Sequence, residues 1–255
     1  MRFSIKIRTL GTLMVTYVLV AGLSAHAADT RSTELKSESC SRPKTNIVYR
    51  HEKDYEDACQ ALTRAEDFFH TYGHNVDAPV TLVFQDKVMT QISEDKEIQV
   101  YGRYDVESNT AYLTSYHSDF VKAPDRMDFG LNLSPEGALK RELHLARVTQ
   151  EVAHFYIQDN VQENGTESLN IALRKFVAYV VQLTTMDPDL LNQILDKNAG
   201  IQFDSVDSIN PILHNDDPQK FGVMSYRFFH SDRGGNKLLT KIFRGKIEVK
   251  EEARK

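Results

Sequence analysis

Val148-Thr149-Gln150-Glu151-Val152-Ala153-His154-Phe155-Tyr156 is the stretch on which the reading of this chain turns. It lies within 135–159, whose apolar spacing predicts a helix opened by Ser134-Pro135. Residues four apart share a helix face, so Gln150 and His154 stand one turn apart with Glu151 beside them. The stretch is one substitution from His-Glu-x-x-His. In that motif two imidazoles bind zinc and the Glu activates the metal-bound water. Gln150 stands at the first imidazole position, and Glu151 and His154 remain. His144 cannot replace the lost ligand, because ten residues of helix place it ~15 Å from His154 along the axis.

The elements around this helix follow from periodicity and capping. Asp187-Pro188 and Asp217-Pro218 each put a capping carboxylate before a proline that needs no N–H. They open helices read at 188–198 and 218–231, and further helices are read at 167–184 and 236–244. Gly200 and Gly234 mark ends. Toward the N-terminus, Ala58, Leu62, Ala65, Phe69 and Tyr72 recur at helical spacing over 54–72, with Gly73 as the stop. Strands are read at Ile47–Tyr49, Val80–Phe84, Glu97–Tyr104 and Thr110–Tyr116, the last after the turn Glu107-Ser108-Asn109. The expected fold is therefore α+β: a small, mainly antiparallel N-terminal sheet followed by a helical half.

Moving outward, Arg2, Lys6 and Arg8 precede the apolar run Leu10–Leu23 and the small residues Ala25 and Ala27. This is the three-part pattern of a secretory signal peptide, and the run falls short of the ~20 residues that span a bilayer. The expected organisation is a signal peptide at 1–27, a polar lead-in at 28–44 and a single domain at 45–255. The protein is expected to be exported, periplasmic or secreted, with no membrane association after cleavage. The full chain has 255 residues and a formal net charge of −5, and cleavage removes three basic residues and no acid. Such an acidic protein is a poor nucleic-acid binder, since phosphate binding needs clustered Lys and Arg. With 41% hydrophobic and 26% charged residues, the composition excludes fibrous and wholly disordered classes.

Cys40 and Cys59 are the only cysteines. In an oxidising compartment such a pair reads as a disulfide. It closes a loop of ~20 residues, worth about 3 kcal/mol by loop entropy, and staples the N-terminal segment to the first helix. Asn132-Leu133-Ser134 and Asn164-Gly165-Thr166 match glycosylation sequons, whose bland reading is chance. His117, His214 and His230 are scattered and read as surface residues. No Gly-x-Ser-x-Gly elbow, phosphate loop or EF-hand loop is present.

The order of elements resembles the gluzincin metallopeptidase domain over roughly residues 78–245. In that family a sheet precedes the His-Glu-x-x-His helix, and a second helix supplies a Glu ligand from a segment such as Glu-Tyr-x-Ala-Tyr. Lys175-Phe176-Val177-Ala178-Tyr179 resembles that segment, and Phe221 to Phe228 resembles the closing helix. The likeness extends to Thr185-Met186-Asp187-Pro188 and Ile209-Asn210-Pro211. It implies a degenerate member of an uncharacterised family of exported bacterial proteins.

The departures then carry the functional expectation. Gln150 replaces one implied ligand, and Lys175, or Arg174 in the alternative register, replaces the Glu. Glutamine is a poor zinc ligand and an ammonium repels a dication. The chain is therefore expected to be a metal-free pseudo-peptidase with a vestigial site at Gln150, Glu151, His154, Arg174 and Lys175, and with no cofactor. Glu151 and Lys175 are expected to face one another as a charge pair. The expected partner is an extended peptide or an envelope protein, added as a strand to a sheet edge formed by Ala111, Tyr112, Leu113, Thr114 and Ser115. Two rival readings are an active hydrolase using Glu151 and His154, and a structural protein of the cell envelope.

Overall fold

The computed structural model describes residues 34–40, 44–93, 96–123, 128–131, 133–134, 137–166 and 169–247. The leader read at 1–27, Asn132 of the first sequon and Pro135 lie outside them. Among the described residues seven strands come first: β1 (Lys36–Glu38), β2 (Thr45–Tyr49), β3 (Val80–Gln85), β4 (Val88–Ser93), β5 (Lys96–Val100), β6 (Gly102–Asp105) and β7 (Thr110–Thr114). Helix α1 (Glu52–Thr71) joins β2 to β3. The C-terminal half is helical: α2 (Asp119–Lys122), α3 (Ala138–Glu163), α4 (Ile171–Thr184), α5 (Pro188–Lys197), α6 (Pro211–Asp216), α7 (Pro218–Phe229) and α8 (Asn236–Phe243). The fold is thus α+β, a sheet-bearing N-terminal half followed by helices.

Five strands form one sheet in the order β1-β2-β3-β7-β6, while β4 and β5 form a separate hairpin. The central pairs β2–β3 and β3–β7 are parallel, and the outer pairs β1–β2 and β6–β7 are antiparallel. Parallel pairing of β2 with β3 needs a crossover, which α1 supplies. One face of the sheet carries Ile47, Tyr49, Val80, Leu82, Phe84, Ala111 and Leu113, all buried. Alternate residues point to opposite faces of a strand, so this face meets the helices while Asn46, Val48, Thr81 and Val83 lie on the other. Helices α1 and α3 cover the buried face and pack on each other, and α4 lies between α3 and α7.

Several sequence expectations are corrected. Part of the polar lead-in is strand β1, held by pairing with β2 and by a 2.6 Å bond from the Tyr49 hydroxyl to Glu38. The segment read as one strand at Glu97–Tyr104 is two, β5 and β6, which break at Tyr101 and belong to different sheets. β7 is no edge: it pairs with β3 on one side and β6 on the other. Its alternation of Ala, Tyr and Leu suits burial between neighbours as well as an edge position, so composition alone misplaced it. The edge strand on that side is β6. Helix α3 begins at Ala138 with Gly137 as N-cap, so Ser134 is not its cap. Asp187 and Asp217 do cap as expected: Asp187 accepts from the Asp189 and Leu190 amides, and Asp217 from the Lys220 amide.

Cys40 and Cys59 are bridged, with Cα atoms 5.6 Å apart, and no cysteine is free. The bridge ties the segment before β2 to α1. Thiol labelling of the denatured, unreduced protein is expected to find no reactive cysteine, and full labelling after reduction. Labelling before reduction would contradict the bridge.

Candidate functional site

Residues of α2, α3, α4, α6 and α7 and a strand junction line a cavity of ≈ 680 Å³. Arg147, Gln150 and Glu151 reach it from α3, Lys175, Tyr179 and Gln182 from α4. These two sets follow helical spacing, so each presents one face to the cavity. Ile98 to Gly102, at the junction of β5 and β6, form the opposing wall. Phe120 and Phe129 add apolar surface, and His214, Asn215, Pro218 and Gln219 complete it from α6 and the start of α7.

Two close approaches fix the geometry. A Cβ on Gly102 would lie 2.6 Å from Glu151 Cγ, so β6 crosses α3 at a distance only glycine permits. A Cβ on Gly222 would lie 2.6 Å from Tyr179 Cδ1, so α7 closes directly on that ring. Tyr179 is thereby held where it shares a side-chain hydrogen bond with Gln150. Arg147 lies with its guanidinium 3.8 Å from the centroid of the Tyr101 ring, a cation–π contact in a buried setting.

His154 is fully buried beneath this wall, its ring stacked 5.7 Å from that of Tyr104. Lys175 Nζ lies 3.3 Å from His154 Nε2. An ammonium can only donate, so Nε2 accepts and the imidazole proton sits on Nδ1, a tautomer assigned from the bonding. Nδ1 has no hydrogen-bond partner among the described residues. Burial, then the charges of Lys175 and Arg174, hold this imidazole well below its usual range, so it is neutral. Arg174 instead donates to Gln158 Oε1 at 2.7 Å. Of the two cations, Lys175 and not Arg174 is directed at His154.

Glu151 is buried, and its Oε2 has no hydrogen-bond partner among the described residues. Burial pushes its carboxyl above the usual range, and the Lys175 charge acts in the opposite direction. The expected contact pair is not formed: among the described residues Lys175 bonds to His154 and reaches Glu151 only through space. The sign of the pH effect follows. The folded chain holds the Glu151 proton above the ordinary value of 4.5, so stability is lost as pH rises from there through the raised value. Glu151→Gln should remove that loss. Its urea midpoint relative to the parent is expected to rise between pH 4 and pH 8, and a constant difference would show that Glu151 does not titrate this way.

The residues present do not fit zinc. Among the described residues no group of three His, Cys, Asp or Glu side chains is placed to hold a metal ion. The His154 imidazole has its lone pair directed at an ammonium, and Gln150 is engaged by Tyr179. The residues read as a binding strand are used elsewhere. Ser115 Oγ donates to Asp54 at 2.7 Å, Thr114 Oγ1 donates to the Val100 carbonyl at 2.8 Å, and Ala111 to Thr114 lie inside the sheet. His214, read as a scattered surface residue, lines the cavity. Arg147, Tyr179 and Gln182 were missed, although their offsets from Glu151 and Lys175 place them on the same helix faces. Tyr101 and Gly102 had no such signal, because the strand break that exposes them is tertiary.

The chain belongs to a family of unknown function, DUF6639, which matches residues 46–252. No curated protein and no solved structure matches the chain.

Proposed function

We propose that this protein is an exported, metal-free pseudo-peptidase: a gluzincin-like framework that binds an extended peptide or envelope-protein segment without cleaving it. One observation carries the reading. Gln150 and Lys175, the positions that the gluzincin resemblance assigns to lost ligands, line one cavity, with His154 directly beneath, and Lys175 occupies the imidazole lone pair that a metal would need. The cavity volume lies within the ~300–1,000 Å³ of small-ligand sites. Its β6 wall includes Gly102 on the edge strand, which offers an extended chain a backbone to run beside. Export is supported by the leader pattern and the disulfide, and no helix among the described residues is long and apolar enough to cross a membrane.

The test has two parts. Protein purified without chelator should carry well under one equivalent of zinc, and should retain peptides from a mixed pool without shortening them. Stoichiometric zinc, or no retained peptide of any kind, would overturn the reading.

A second reading, an altered hydrolase, has one observation in its favour. The Glu151 carboxyl is raised by burial at a cavity wall, which brings it toward the pH where a general acid or base works well. Peptide cleavage that is lost in Glu151→Gln, in zinc-free protein, would select this reading over binding alone.

A further inference from the structure

The cavity carries more uncompensated polar chemistry than a vestige requires. Arg147 is buried, lines the cavity and leaves Nη2 without a hydrogen-bond partner among the described residues. Lys175 lines the same space and spends one of its three protons on His154. Two cations thus face a cavity whose wall holds one acid, Glu151, with Asp128 acting on Arg147 only through space. This occurs in a chain whose net charge is −5. Buried polar atoms are normally paired, so an orphan guanidinium nitrogen beside a cavity marks a missing acceptor. A carboxylate supplies the planar, two-oxygen acceptor that a guanidinium fork matches.

Acceptors are also left over. Glu151 Oε2 and Gln182 Oε1 are buried at the cavity without partners among the described residues. A ligand that satisfies both sets brings an anionic end and N–H donors together. Phe120, Phe129 and Val100 give the space an apolar side.

We propose that the cavity seats the C-terminal carboxylate of a peptide, held by Arg147 and Lys175, with backbone N–H groups directed at Glu151 and Gln182 and the last side chain on the apolar wall. This rests on the reading of the cavity as a peptide site and assigns which end of the peptide enters it.

The experiment compares two equimolar tripeptide pools on the intact mature protein, one with free C-terminal carboxylates and one amidated. Equilibrium dialysis with mass spectrometry reads the bound species, and inorganic phosphate is a third probe. Free acids are expected to bind at least tenfold more tightly than the matching amides. Arg147→Gln should reduce the free acids to the amide level, and Lys175→Met should reduce the preference with Arg147 intact. The acid-to-amide ratio in the unaltered protein decides the matter even if Arg147→Gln fails to fold. Equal binding of both pools overturns the carboxylate assignment and leaves the peptide reading standing. Retention of neither pool overturns both. Phosphate bound as tightly as the free acids overturns the assignment in favour of a general oxyanion site.

Discussion

Gln150→His combined with Lys175→Glu should give a protein that excess zinc stabilises. The reason is geometric. Positions 150 and 154 lie one turn apart on α3, the spacing at which two imidazoles reach one ion. The side chain at 175 already reaches to 3.3 Å of His154 Nε2. A Glu there removes the ammonium from the imidazole lone pair and supplies a third ligand in its place. Zinc at ~100 times its dissociation constant then adds about 2.7 kcal/mol, read as a zinc-dependent rise in the thermal midpoint. Gln150→His alone leaves Lys175 on His154, and Lys175→Glu alone leaves two protein ligands, so each single change should respond far less. Arg174→Glu in place of Lys175→Glu is the control, because Arg174 is directed at Gln158. A folded double variant that ignores zinc, or an equal response from the Arg174 control, would mean that the framework is not gluzincin-like in this register.

Acid should destabilise this protein through its buried histidines, and His144→Leu should relieve a measurable share. His144 is buried on α3 against the Tyr116 ring, 5.3 Å away, and neither ring nitrogen has a hydrogen-bond partner among the described residues. Burial, with Arg147 and Arg141 nearby, pushes its imidazole from 6.5 down to about 3. Lowering the pH protonates this histidine in the unfolded chain first, so folding stability is full above 6.5 and is lost as pH falls toward 3. Each pH unit across that window removes up to about 1.4 kcal/mol per such group. His154, also buried and neutral, adds to the loss. Raised carboxyls oppose it over part of the range: burial pushes Asp57 up to about 6 despite Arg141, and Glu151 shifts the same way. The difference between His144→Leu and the parent cancels those carboxyls. Measured by urea unfolding at successive pH values, it is expected to move in favour of the variant as pH falls below 6.5. A difference that stays flat from pH 7 to pH 4 would show that His144 is protonated in the folded state.

The sequence by itself determined the order and type of most elements. Helical spacing at Ala58, Leu62, Ala65 and Phe69 identifies α1, and the Asp-Pro pairs at 187 and 217 locate the starts of α5 and α7, because capping and proline chemistry act within a few residues. The cysteine pair is likewise legible from its count and the leader pattern. Tertiary structure alone decided that β7 is interior and that the chain breaks at Tyr101 between two sheets, since the pairing of β7 with β3 joins residues far apart in sequence and leaves no local mark. The same holds at the cavity. Gln150, Glu151, His154 and Lys175 could be picked out by motif, but not that Lys175 rather than Arg174 turns to His154, nor that Arg147 joins them. The close approaches of α7 to Tyr179 at Gly222 and of β6 to Glu151 at Gly102 join segments distant in sequence, and they exist only once the chain is folded.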